Sequence, residues 1–366
     1  MLCITNSAEE LRAGLAPEEA EDPADEEAFE ETAGVGFDEG ILSAVNLSHL
    51  NELLPNDVGL VYTKYYYDNE ISYKIAEMIQ DIGDAYLNRF QNNTWMAEET
   101  KANAIKKLDN MIAVVGYPDN YTFPEITPIS EGGSLFSNTL SIKRHDVSEL
   151  IRSNEDKDFI RTIMYMPPDM VNACYIPELN TMNIPAGILN APFYDKDASY
   201  AANLGAIGMV IAHEIGHAFD KNGATYDENG CLKNWWTEKD YEEFKNIQED
   251  FINYYNQFEV VDGVVQDASV TITENMADFA AMQIIMDIIG DDKEAQRECL
   301  EAYANVWAQL GTVSYLTDST LLSDVHASHV VRVNAVVASF DQFYELYDIQ
   351  EGDAMYVAPE NRLRLW

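Results

Sequence analysis

Basic residues are scarce in this chain of 366 residues: 22 Lys and Arg stand against 64 Asp and Glu, a formal net charge of -42. A surface so anionic repels phosphate backbones and anionic membranes, which argues against nucleic acid as a partner. Cysteine is scarce as well. Cys3, Cys174, Cys231 and Cys299 are scattered without a C-x-x-C pair, which suits neither a dense disulfide framework nor a cysteine zinc site. No apolar run approaches the roughly 18 residues that a membrane-spanning helix needs. The opening residues, MLCITNSAEEL, lack a basic start followed by an apolar block, so neither a signal peptide nor an anchor is read there. Reduced thiols and no visible signal together lead to the expectation of a cytoplasmic location.

What is present is ample core material, at 47% hydrophobic residues. Residues 1–50 hold thirteen acidic residues and one basic residue, Arg12, so 1–52 reads as an acidic, solvated, disordered segment. From Leu53 the text becomes aromatic, and ISYKIAEMIQDIGDAYLNRF and AEETKANAIKKLDNMI carry the spacing of two helices within 69–110. A short apolar run and a Gly/Pro/Asn turn cluster, IAVVGYPDNYTFP, mark a boundary near 117. Gly, Ser and mixed charges dominate 130–165, where no regular element is assigned. VNACYIPELNTMNIPAG then reads as a β-hairpin turning on Pro-Glu-Leu-Asn. Helices follow at about 198–219, 238–256 (capped by Thr237), 273–289 and 293–310. The expected fold is mainly α with a small β-sheet.

Histidine is also rare, with six in the chain, yet two stand four apart in VIAHEIGHAFD. On a helix His213 and His217 share one face and can offer ring nitrogens to one ion, with Glu214 beside them facing a water. The plainer alternative is a pair of satisfied polar residues on a core helix. The glutamate and the apolar frame, GAIGMVIA before and AF after, favour zinc, because such a helix buries two imidazoles only with a strong partner.

Catalytic zinc takes three protein ligands. A metzincin would place a glycine and a third histidine downstream, but Asp220 and Gly223 occupy those positions. TITENMADFAAM offers another source: Glu274 and Asp278 lie four apart on a second helix and share a face. Glu274 can ligate, while Asp278 can accept the outer N–H of a ligand histidine and fix its tautomer. A solvated acidic face is the ordinary reading of such a pair. Here the apolar neighbours Met276, Ala277, Phe279, Ala280 and Ala281 argue against full solvation.

These segments resemble the neprilysin family of zinc endopeptidases, which includes endothelin-converting enzymes and bacterial oligopeptidases. The likeness covers roughly 53–366. It is carried in order by VNACYIP, PAGIL, PFYD, HEIGHAFD, GATYDENGCLKNWWT, ITENMAD, ANVWAQ, DVHASHVVRVN and the terminal Trp366. The resemblance implies a zincin-type catalytic lobe with one Zn2+ per chain held by His213, His217 and Glu274. It implies Glu214 as general base, Asp278 orienting His213 and Asp220 orienting His217. His326 would stabilise the oxyanion and Arg332 would bind a substrate carbonyl. Asn172 and Ala173 would hold the peptide backbone as an added strand. Phe193, Val210 and Trp307 would form an apolar pocket for the residue after the cut.

Three departures accompany the resemblance. Family members are usually longer, with a large N-terminal helical lobe, of which only the final part, 53–116, is recognisable ahead of a catalytic domain at 117–366. The terminal NRLRLW lacks the cysteine of secreted relatives, and Cys174 stands where an aromatic is common. The expected function is zinc-dependent hydrolysis of short peptides. The alternatives are a catalytically silent zinc-binding fragment, or one half of a peptidase whose N-terminal lobe is a separate chain.

Overall fold

A computed structural model describes residues 47–117, 133–153, 157–261, 263–318 and 322–366, so most of the acidic 1–52 segment lies outside the described residues. Helix α1, Pro55–Tyr66, starts on a proline, whose missing N–H has no intrahelical partner to lose at that position. Helix α2, Asn69–Asn92, is capped by Asp68, whose carboxylate accepts from the Ile71 amide at 3.0 Å. Its buried stripe of Ile75, Met78, Ile82, Tyr86 and Phe90 follows the helical repeat. Helix α3, Glu98–Asp109, has Glu98 and Glu99 in its first turn and Lys106 and Lys107 in its last, in accord with the helix dipole.

Strand β1, Ile112–Gly116, leaves α3 and joins a three-stranded sheet in the order β1-β3-β2. Strands β2, Cys174–Ile176, and β3, Thr181–Pro185, form the expected hairpin, antiparallel with Tyr175 opposite Met182. Asn180 closes its turn at a φ of 49°, a left-handed conformation that asparagine tolerates. Strand β1 runs parallel to β3, so β3 is central and buried throughout. Strand β2 keeps one edge unpaired within this sheet. The stretch 130–165, assigned no element above, forms helix α4 at Leu135–Ser153. Ile142 is buried while Leu135, Phe136, Leu140 and Val147 are exposed, so burial and apolarity do not coincide there and the periodic signal is weak.

The helix expected at 198–219 is interrupted. It opens with one turn at Tyr200–Asn203 capped by Ser199, widens into a π-type segment at Leu204–Gly208, and continues as α5, Met209–Gly216. A π-type segment is a recurrent feature of functional helices. Helix α6, Glu238–Tyr255, is capped by Thr237 as expected. Helix α7, Ala268–Ile289, begins earlier than 273 because Asp267 caps it by accepting from Ser269 N. Helix α8, Lys293–Val306, stops short of 310. Helices α9, His329–Val337, and α10, Asp341–Tyr347, were not assigned above; α9 has nine residues and α10 seven, too short for a clear repeat. The pattern is mainly helical with small sheets, as expected. No helix among the described residues is long and apolar enough to cross a membrane.

Helices α5 and α7 pack closely at Gly216, where an added Cβ would stand 3.3 Å from Ala277 Cα. Helix α2 packs at the same point, with the buried Tyr86 hydroxyl 3.1 Å from where that Cβ would stand and donating to the Ala212 carbonyl at 2.8 Å. The terminal Trp366 packs against Phe90, Phe219 and Phe244, joining the chain's end to the same core.

Gly205 lies against α8, and a Cβ there would meet the Cys299 carbonyl oxygen at 2.0 Å. Gly205→Ala is therefore expected to lower stability by about 1–3 kcal/mol or more through overpacking. A urea unfolding midpoint equal to wild type would contradict this packing.

Candidate active site

Both helices at the centre are apolar, so each polar side chain they bury needs a partner. His213 projects from α5, and its Nδ1 lies 2.7 Å from Asp278 Oδ1 on α7. His217 follows the last residue of α5, with its Nδ1 2.7 Å from Asp220 Oδ2. A carboxylate can only accept, so both Nδ1 atoms carry the donated hydrogen and, with the rings neutral, both Nε2 atoms keep a lone pair.

Those lone pairs meet at Glu274. Its Oε2 is 3.2 Å from His213 Nε2 and 3.4 Å from His217 Nε2, yet it has no hydrogen-bond partner among the described residues. Glu214 is buried beside them, and its Oε2 is likewise unpartnered. Ligand-type atoms of His213, Glu214 and His217 all lie within 4.8 Å of one another. Two nitrogen lone pairs and a carboxylate oxygen facing one another repel unless a cation lies among them, so this donor set fits a metal ion.

Burial lowers the basicity of both imidazoles, but Asp278 and Glu274 at His213, and Asp220 and Glu274 at His217, outweigh it and raise both pKa values. The centre thus attracts positive charge. Burial raises the Glu214 carboxyl above the ordinary carboxylate range, although the two imidazoles pull it down. A carboxylate made more basic in this way is suited to taking a proton. Cys174 is a poor competitor for a cation, since burial and the charge of Glu214 push its thiol up to about 12.

Asp278 is held in turn by Arg332 on α9. The guanidinium donates from Nε to Oδ2 at 2.6 Å and from Nη2 to Oδ1 at 2.8 Å, and it stacks over the Trp307 ring at 3.9 Å. Burial alone would raise the Asp278 pKa, but Arg332 and His213 bring it below the usual value. His326 enters from the loop before α9, with its side chain 42% exposed and Nε2 3.4 Å from Glu274 Oε2. Its Nδ1 is 2.9 Å from Asp324 Oδ1. The Gln266 amide donates to the carbonyls of His326 and Asp324 at 2.8 and 3.2 Å and accepts from Ser328 N.

These groups open onto a cavity of about 700 Å³. Every site residue named from the sequence lines it. Phe193 and Trp307 meet edge to face, with ring centroids 6.3 Å apart, and Val210 lies alongside on α5. Asn172 and Ala173 immediately precede β2, and Asn172 Oδ1 accepts from the Ala173 amide at 2.9 Å. Asp324 and Gln266 were not singled out from the sequence. Asp324 left a faint signal in the D-x-H spacing of DVH, whereas a lone glutamine between a strand and a helix leaves none.

Residues 172–363 match peptidase family M13, and residues 25–118 match the N-terminal profile of the same family. The chain is 36% identical over 315 residues to the neutral endopeptidase of Lactococcus lactis subsp. lactis (strain IL1403), an alignment covering 84% of this chain and 49% of that protein. It is 30% identical to neprilysin-11 of Caenorhabditis elegans, covering 86% of this chain and 39% of the relative. Among solved structures, PepO from Lactobacillus rhamnosis superposes with a TM-score of 0.76 at 30% identity, over 86% of this chain and 50% of that one. The Mycobacterium tuberculosis zinc metalloprotease Zmp1, solved with an inhibitor, gives 0.74 at 28% identity, over 87% and 50%. The chain spans about half the length of the curated relatives it matches. The donor cluster on α5 and α7 falls within the residues that carry this match, and the chain belongs to peptidase family M13.

Proposed function

We propose that this chain is a zinc-dependent endopeptidase acting on short peptides. The observation that carries this reading is the convergence of His213 Nε2, His217 Nε2 and Glu274 Oε2, with the buried, unpartnered Glu214 carboxylate beside them. The names of relatives support it, since one solved relative is called a zinc metalloprotease and others neutral endopeptidases. His213, His217 and Glu274 would hold one zinc per chain, and Asp278 and Asp220 would fix the two imidazoles. When bound, zinc supplies Lewis acidity toward the scissile carbonyl and toward water.

Glu214 takes the proton of the attacking water and returns it to the leaving amine. His326, oriented by Asp324 at Nδ1 and open to the cavity, stabilises the developing oxyanion when both ring nitrogens carry hydrogen, Nδ1–H donating to Asp324 and Nε2–H to the substrate. Arg332 spends two N–H groups on Asp278 and has others to offer a substrate carbonyl. The free edge of β2 accepts the peptide as an added strand, replacing Asn172 Oδ1 at the Ala173 amide. Phe193, Val210 and Trp307 receive a large apolar side chain just after the cut.

Glu214→Gln leaves the ligand atoms untouched, so zinc content persists while turnover falls by at least about 10²-fold. His217→Ala loses both zinc and hydrolysis, because two remaining ligands hold the ion poorly. Zinc by mass spectrometry and cleavage of a quenched peptide, with and without chelator, check both; equal turnover by the Gln variant would sink the mechanism. Asp278→Ala also strands the buried Arg332 charge, with an expected stability loss of about 3–5 kcal/mol and metal affinity or activity reduced about 10- to 100-fold. Denaturant unfolding and metal titration measure the two effects, and wild-type values in both would remove Asp278 from the site. In a peptide library, each methylene trimmed from the residue after the cut is expected to cost about 1–3 kcal/mol of discrimination. Preferred cleavage before Asp or Lys would contradict the assigned pocket.

A further inference from the structure

Lys107, near the end of α3, is buried to 1% exposure and does not enter the chemistry above. Its Nζ donates to the carbonyls of Ala218, Gly223 and Tyr226 at 2.8, 2.7 and 2.8 Å. An ammonium has three N–H donors, so three carbonyls satisfy it completely, whereas a neutral amine would leave one of them unpaired. All three acceptors belong to the loop that follows the zinc-helix motif. Ala218 O lies just beyond the α5 C-terminus, where a cation is also favoured by the helix dipole. The Tyr175 and Phe219 rings wall the site, with centroids 6.0 and 5.9 Å from Nζ. Burial lowers the Lys107 pKa to about 7, while Asp220 and Asp227 act to raise it.

The same loop presents Asp220. Its Oδ1 accepts from the amides of Asn222 and Gly223, both at 2.7 Å, which turns Oδ2 toward His217 Nδ1. The loop is tight: a Cβ at Gly223 would stand 1.8 Å from the His217 carbonyl oxygen. Its amides are tied to Asp220 and its carbonyls to Lys107, so the orientation of the His217 ring is set from both sides of one loop.

We propose that Lys107 is a positioning residue for the metal centre: by clamping the 218–226 loop from α3 it holds Asp220 against His217 and so sets metal affinity. This rests on the zinc-peptidase reading above. The test uses the full chain and four variants: Lys107→Met, Lys107→Gln, Asp220→Ala and the Lys107→Met/Asp220→Ala double. Zinc dissociation constants come from chelator competition, and amide hydrogen exchange is followed in the metal-free protein.

Lys107→Met is expected to weaken zinc binding about 10- to 100-fold, the usual effect of losing an outer-shell partner, and to speed exchange at 218–226 while α2 and α7 stay protected. Lys107→Gln keeps two donors and falls between, and it carries the test should the Met variant not fold. Because Lys107 acts through Asp220, its loss in the Asp220→Ala background adds less than about 3-fold, the mark of coupled rather than independent sites. Wild-type zinc affinity in both Lys107 variants, or the full single-variant loss added again in the double, would overturn the proposal. A wild type that binds no zinc would refute the peptidase reading instead. Exchange at 218–226 then decides the clamp alone, and unchanged exchange in both Lys107 variants overturns it.

Discussion

Burying charge between two apolar helices is the constraint on which this structure depends. Helices α5 and α7 approach closely at Gly216 and Ala277, and between them lie His213, Glu214, Glu274 and Asp278. An unpaired ion there would cost several kcal/mol, so each group must be matched. Asp278 is matched by His213 and by the two-pronged grip of Arg332, which itself rests on Trp307. Of these four groups, Glu214 and Glu274 each leave a buried Oε2 without a hydrogen bond among the described residues. A lattice of satisfied groups enclosing two unpartnered carboxylate oxygens is what a metal and a reacting water require.

The rest of the fold keeps that cluster rigid on one side and open on the other. Tyr86 from α2 and Lys107 from α3 reach α5 and the loop after it through backbone carbonyls, which hold position without adding charge to the donor set. Strand β1 from the same N-terminal stretch pairs with β3, so 53–116 contributes one strand to the sheet that holds the hairpin. The open side is the unpaired edge of β2 and a cavity of about 700 Å³. A donor set held by packing beside an open strand edge suits the proposed function, in which an extended chain is brought to groups that stay in place.

Much of the site was legible because its chemistry is local. H-E-x-x-H and E-x-x-x-D each place their side chains on one helical face, so spacing alone brought His213 to His217 and Glu274 to Asp278. Thr237 announced α6, and the Pro-Glu-Leu-Asn turn announced the hairpin. Elements whose apolar residues do not coincide with their buried ones escaped, as in α4. Short elements escaped too, as in α9, although it carries Arg332. The π-type segment at Leu204–Gly208 left no mark in an apolar run that reads as unbroken helix.

The sequence by itself determined that two short helical patterns could each present a pair of metal-type side chains, that the chain has apolar material for one sizeable core, and that its charge disfavours polyanions. Only the tertiary structure decided that the two pairs face each other, because a period of 3.6 residues fixes which side chains share a face but not what that face meets. The partnership of Asp324 with His326, the bracing by Gln266, the grip of Arg332 on Asp278 and the hold of Lys107 on the 218–226 loop are likewise products of the fold. Apart from Asp324 and His326, they join residues far apart in the chain through two or three hydrogen bonds each. Such bonds leave no periodic trace, and they exist only once packing has brought the backbone carbonyls and carboxylates within reach.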